Sequence, residues 1–178
     1  MTSRLSTISL PVLLGFSFFM PLSAQSGPFS LQIRTISPME SIRDTVGNEG
    51  GYGIGLGYVV VDKMDQPLRG EGILRLDGDH FQGRNGSSVK SYTAAFQINL
   101  YPIRHSDFYV QFAPVIQSHS VSPEIASKAS YAGFGVQGGI GWALQLGHLY
   151  SMEISYLKMD RVESHNFSSL RYEMCFRF

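Results

Sequence analysis

The stretch from Asn166 to Phe178, NFSSLRYEMCFRF, restricts the fold more than any other part of the chain. Leu170, Tyr172, Met174, Phe176 and Phe178 occupy even positions, whereas Ser169, Arg171, Glu173, Cys175 and Arg177 occupy odd ones. Successive side chains of a strand point to opposite faces, so one face here is wholly apolar and the other carries three charges. A soluble domain rarely closes on such a face, because termini fray into water. Lipid against that face would account for it.

Seven further segments alternate in the same way, and no helical period stands out among them. They run from Phe29 to Ser37, Gly51 to Val61, Gly70 to Phe81, Val89 to Ile103, Phe108 to Ser118, Ser130 to Gln145 and Leu149 to Met159. The pattern is clearest in the fourth, where Tyr92, Ala94, Phe96, Ile98 and Leu100 alternate with Ser91, Thr93, Ala95, Gln97 and Asn99. In the second and sixth segments the face opposite the apolar one is mostly glycine, which weakens a strand unless something must approach closely there. Pro38 ends the first segment. Pro114 lies on the apolar parity of the fifth, where it cannot donate to a ladder, so a bulge or a strand end is expected beside it.

Residues 63–68, 104–107 and 146–148 read as tight turns, and 38–50, 82–88, 119–129 and 160–165 as polar loops. Eight antiparallel segments joined by hairpins close into a barrel that encloses little more than its own side chains. Short turns at one end and longer loops at the other are the pattern of bacterial outer-membrane barrels.

Charged residues are only 16% of the chain, yet no segment beyond the first residues is long and apolar enough for a membrane helix. That combination suits a membrane barrel. The apolar parity is nearly free of charge, with Lys158 the main exception. Its aromatic residues sort by height. Phe29, Tyr58, Phe108, Trp142, Tyr150, Phe176 and Phe178 fall near the inner, periplasmic ends; Tyr52, Tyr92, Phe134 and Tyr156 fall near the outer ends. Two such girdles are expected where a barrel crosses the membrane interfaces. A soluble barrel or sandwich would turn the apolar parity inward and present glycine to water on two segments, an unfavourable design. The balance of 14 basic and 14 acidic residues gives no reason to expect a nucleic-acid partner. The lone Cys175 permits neither an internal disulfide nor a cysteine zinc cluster.

The first residues read as a secretory signal: Arg4, an apolar run from Leu10 to Met20, and Ser23-Ala24 as a cleavage site. Residues 1–24 would be removed and 25–178 would form the barrel. Gln25 in place of cysteine excludes a lipoprotein. An uncleaved anchor helix is the alternative, but the apolar core is shorter than the ~20 residues a span needs.

From Phe29 to Phe178 the chain resembles the small eight-stranded outer-membrane barrels of the OmpA-transmembrane-domain and OmpX type. The resemblance rests on the strand count, the order of short turns and long loops, and the closing Tyr172-Glu173-Met174-Cys175-Phe176-Arg177-Phe178. It implies an all-β, up-and-down transmembrane barrel in a bacterial outer membrane. It also implies that Tyr172, Met174, Phe176 and Phe178 are read by the barrel-assembly machinery during insertion.

The inward parity collects Arg34, Glu71, Arg75, Asp77, Asp79, Glu153, Arg171, Glu173 and Arg177. Charges inside a low-dielectric wall must be paired or wet, or they cost several kcal/mol each. An internal ion-pair network that plugs the barrel is the simplest expectation; a narrow conduction path or binding cavity is the alternative. Some barrels of this size act on lipid A. The lipid A deacylase family uses a His-x-Ser pair, but none of His80, His105, His119, His148 and His165 has serine two positions later. His105-Ser106-Asp107 are adjacent on a turn and cannot form a working triad. Ser118-His119-Ser120 and His165 fall near the outer rim. Histidines so scattered give no metal spacing. The expectation is therefore a non-enzymatic outer-membrane barrel without cofactor or metal. Its partners would be outer-membrane lipid, the assembly machinery and an unidentified extracellular ligand at the outer loops. A narrow pore for small solutes or ions comes second, and a lipid A-modifying enzyme third.

Overall fold

The computed structural model describes residues 27–62, 69–83, 86–103, 106–122, 129–144, 150–160 and 166–178. The expected signal at 1–24 lies outside them, as does the turn at 63–68.

Among the described residues, strands β1 (Phe29–Pro38), β2 (Gly51–Asp62), β3 (Arg69–Gln82), β4 (Ser88–Tyr101), β5 (Phe108–Ser122), β6 (Ala129–Leu144), β7 (Tyr150–Met159) and β8 (Ser169–Arg177) follow one another, with a short helix, α1 (Glu40–Val46), after β1. Each strand pairs antiparallel with the next and β8 pairs with β1, closing the barrel. At the seam, the Phe178 amide donates to the Phe29 carbonyl at 2.9 Å. Closure leaves no open edge, which is the condition for a sheet to stand in hydrocarbon.

The two-residue period decides which side chains face out. Leu76, Phe134 and Tyr52 are 68%, 66% and 65% exposed, whereas their neighbours Arg75, Asp77 and Gly53 are buried. The outer wall is thus apolar and the interior polar, the reverse of a soluble barrel. The aromatic rows lie on this outer wall. At the inner end Phe29 packs on Tyr58 with ring centroids 5.2 Å apart, and on Phe178 at 6.5 Å. Phe176 shares the outward parity but is buried, covered edge-on by Tyr150 at 5.5 Å.

Several boundaries differ from expectation. Residues 38–50 are not only loop, since they contain α1. The serine-rich stretch at 119–129 loses its first residues to β5. Pro114 makes no bulge. The β4–β5 ladder keeps one register on both sides of it and lapses only where Phe96 and Gln97 lie opposite Ala113 and Pro114. The β5–β6 ladder runs on through Pro114 and Val136. The proline forfeits a ladder hydrogen bond on one side and the strand keeps its register. Among the described residues, the register shift falls instead on β2, between Val59 and Val61.

Candidate functional site

The lumen is stacked in three layers. Its middle is built by the two-residue spacing of β3, which turns Arg75, Asp77 and Asp79 inward, and of β8, which turns in Arg171 and Glu173. Arg34 of β1 stands directly across the ladder from Glu173. Its guanidinium lies 2.7 Å from Asp77, 3.6 Å from Glu173 and 3.7 Å from Asp79. Arg75 reaches Glu173 at 2.8 Å and Asp77 at 3.1 Å, and it donates to Gln97. Arg171 binds Asp79 at 2.8 Å. Glu153 of β7 accepts from the Tyr109 hydroxyl at 2.5 Å and stands 4.0 Å from Arg75. The second oxygen of Glu173 takes Gln137 and Ser155, each at 3.2 Å. Glu71 and Arg177 stand apart nearer the inner end, joined by two parallel N–H···O bonds of 2.7 Å.

The glycines of β2 make this layer sterically feasible. β2 lies between β1 and β3, and a Cβ at Gly53 or Gly55 would run into Asp79 or Asp77 from one side and Arg34 from the other. Bare backbone there lets side chains of the two flanking strands meet over β2. The long side chains come from neighbouring strands at this point, not from the opposite wall.

The outer layer is apolar, and sequence reasoning missed it. Ile36, Phe81, Val89, Val121, Leu157 and Met159 all turn inward at the outer ends of their strands. Ile42 and Val46 of α1 descend onto them, joined by Phe167. The helix is fastened down: the amides of Met39 and Ser41 donate to the carbonyls of Ser168 and Asn166 at 3.2 and 3.0 Å. The Ser87 hydroxyl donates to the Thr45 carbonyl at 2.9 Å. A signal was present in Ile42 and Val46, four residues apart and therefore on one helical face. Just beneath this cap His119 stacks on Phe167 at 3.9 Å and shares a 2.8 Å hydrogen bond with Ser91. Both His119 and Ser91 are 1% exposed, so the pair is closed to substrate. His105, His148 and His165 lie outside the described residues.

The inner layer is the packed pair Tyr101 and Tyr109, with centroids 5.1 Å apart. The Arg69 guanidinium sits 5.0 Å over the Tyr101 ring. A cavity of about 20 Å³ remains here, bordered by Glu71, Asn99, Tyr109, Cys175 and Arg177. That is room for about one water molecule. Cys175 is buried and unbridged. Among the described residues, no three His, Cys, Asp or Glu side chains are grouped to hold a metal ion.

No family model matches the chain, and no curated protein matches it. Solved structures do match in fold. Neisserial surface protein A is 15% identical with a TM-score of 0.56, the match covering 87% of this chain and 100% of that one. Ail, the attachment invasion locus protein of Yersinia pestis, is 11% identical with a TM-score of 0.54, covering 84% and 96%. The N-terminal β-barrel domain of Pseudomonas aeruginosa OprF is 12% identical with a TM-score of 0.53, covering 86% and 100%. All three are small eight-stranded outer-membrane barrels, and this chain has their fold.

Proposed function

We propose that this chain, which has the fold of the small outer-membrane barrels, resides in a bacterial outer membrane as a non-enzymatic barrel with a closed lumen. Its role is structural, or one of surface interaction through the outer loops. The observation that carries this reading is the reversed polarity of the wall. Apolar side chains face out between two aromatic rows, and arginine–carboxylate pairs fill the inside. Such a wall is stable only against lipid.

Three obstacles in series support a plug: the apolar cap under α1, the ion-paired middle and the tyrosine pair. An ion crossing them would have to separate paired buried charges and then pass through packed apolar side chains. The surface role draws on two of the similar structures, a surface protein and an attachment protein by name. Tyr172, Met174, Phe176 and Phe178 are proposed as the segment read during assembly, because they form one parity row along β8 and the residue after it, at the seam with β1.

Heat-modifiable migration on a detergent gel tests the membrane reading. The folded barrel is expected to shift on boiling; a protein that folds in water without detergent would sink it. Planar-bilayer recordings test the plug, with no stable current expected. A steady ion-sized conductance would favour the pore reading instead. Lipid A mass profiles with and without the protein are expected to coincide, and a change would restore the enzymatic reading.

A further inference from the structure

At the outer end of the wall, β3 presents first Gly78 and then His80 to the outside. The register sets Gly78 between Ile54 of β2 and Tyr92 of β4, and sets His80 between Tyr52 and Lys90. Both tyrosines project outward, Tyr92 at 64% exposure. Glycine contributes no side chain between them, and a groove of about 610 Å³ opens there, bordered also by Ile33 and Ile54. A Cβ at Gly78 would meet nothing but the Tyr92 ring, at 3.9 Å, so the space in front is open.

The rim of this groove is basic. Side chains directly opposite in an antiparallel pair sit close together, so the His80 imidazole and the Lys90 ammonium share one edge. Lys90 is exposed, and no carboxylate of the described residues pairs with it. Asp79 turns the other way, to Arg171. The His80 ring leans edge-on against Tyr52 at 5.4 Å, and its Nδ1 is shielded from solvent without a hydrogen-bond partner. Two nitrogen bases and two phenol hydroxyls thus stand at the level of the outer aromatic row, above an apolar furrow. Ammonium and imidazole donors at that height call for an anion, and the furrow below calls for hydrocarbon.

We infer that this groove between β2, β3 and β4 binds a phosphorylated, multiply acylated glycolipid of the outer leaflet, with the chemistry of lipid A. One phosphate meets Lys90 and His80, and one acyl chain lies in the furrow over Gly78. The inference rests on the outer-membrane reading above. Lys158, the outward lysine of β7, provides an internal comparison. Its ladder neighbour is Val136, and Asp160 lies two residues farther along the chain, where a carboxylate would repel a phosphate.

The test is native mass spectrometry of the full protein refolded in detergent. It would be titrated with diphosphoryl lipid A, with fully dephosphorylated lipid A and with phosphatidylglycerol. Preferential retention of diphosphoryl lipid A is expected. His80→Gln with Lys90→Gln should weaken it about tenfold or more, the usual effect of losing charge-assisted hydrogen bonds. Gly78→Leu should weaken it by occupying the furrow, and Lys158→Gln should leave it unchanged. Equal retention of the dephosphorylated lipid or of phosphatidylglycerol would overturn the inference. So would wild-type retention in the groove variants, or an equal loss in Lys158→Gln. All these positions face outward, so each variant should keep its heat-modifiable shift. Absence of that shift in the wild type would count against the membrane reading itself. A normal shift without selective retention would count against the groove alone.

Discussion

Arg75 and Glu173 stand on strands that are not neighbours in the sheet, β3 and β8, and their side chains meet at 2.8 Å across the lumen. Glu173 also faces Arg34 at 3.6 Å, so one carboxylate serves two buried guanidinium groups. Glu173→Ala takes one carboxylate from both and leaves them to share Asp77; it is expected to destabilise the barrel by about 3 kcal/mol, read from urea unfolding in lipid vesicles. Arg75→Met with Glu173→Leu should recover part of that loss, because the Arg75 charge is then removed together with its partner. A cost for Glu173→Ala below about 1 kcal/mol, the range of a solvated pair, would mean that the layer is wet.

Ile42 is 1% exposed and holds α1 on the outer mouth. Ile42→Asp buries a charge in an apolar cap and is expected to release the helix. Protease added outside proteoliposomes should then cut between residues 39 and 47, while the heat-modifiable shift persists. Bilayer recordings of this variant should remain silent, because the ion-paired layer lies below the cap. A current from the cap variant alone would place the barrier in the cap.

Two glycines of β6 should answer oppositely to the same change. A Cβ at Gly141 would collide with the Tyr109 ring, which must hold its place to reach Glu153. Gly141→Ala is expected to cost about 1–3 kcal/mol through overpacking. Gly138 faces outward with nothing within 4 Å of an added Cβ. Gly138→Ala should be neutral or stabilise by about 0.5–1 kcal/mol through reduced backbone freedom. Unfolding midpoints of the two variants, measured side by side, check the contrast.

Pro114→Val should repair the lapse in the β4–β5 ladder. The side chain faces outward, so the change adds a donor without disturbing the interior. A gain of about 0.5–1.5 kcal/mol is expected, the net worth of one hydrogen bond. Slower amide exchange at the residues flanking Phe96 and Gln97 would be the direct sign; unchanged exchange there would mean that the lapse has another cause.

Phe178→Ala separates recognition from stability. The backbone bonds between residues 29 and 178 survive the change, and only the ring contact at 6.5 Å is lost. Refolding into detergent should be nearly unaffected, whereas the amount assembled in cells should fall several-fold. Equal losses in both settings would make Phe178 a packing residue and no more.

The closed wall was legible because strand parity is local. Leu76 faces outward and Arg75 faces the lumen for one reason, that successive Cβ atoms alternate across a pleat. The aromatic rows and the inward charges follow from the same rule. Helix α1 was not legible. A seven-residue helix has too little propensity to announce itself, and it exists because Ile42 and Val46 find a hydrophobic mouth to cover. That mouth was itself hidden among residues of the inward parity, read as polar. Phe81 and Val89 share a parity with Asp79 and Ser91 and differ from them only in height along the axis.

By itself the sequence determined which face of each strand points outward and which meets the lumen, and therefore the kind of barrel this is. It did not determine which arginine meets which carboxylate. Those partners depend on the closing register between β1 and β8, and on the thinness of β2 where Gly53 and Gly55 let Arg34, Asp77 and Asp79 converge. Facing is a property of neighbouring residues along one chain, whereas partnership is a distance between strands. That distance exists only after the sheet has closed.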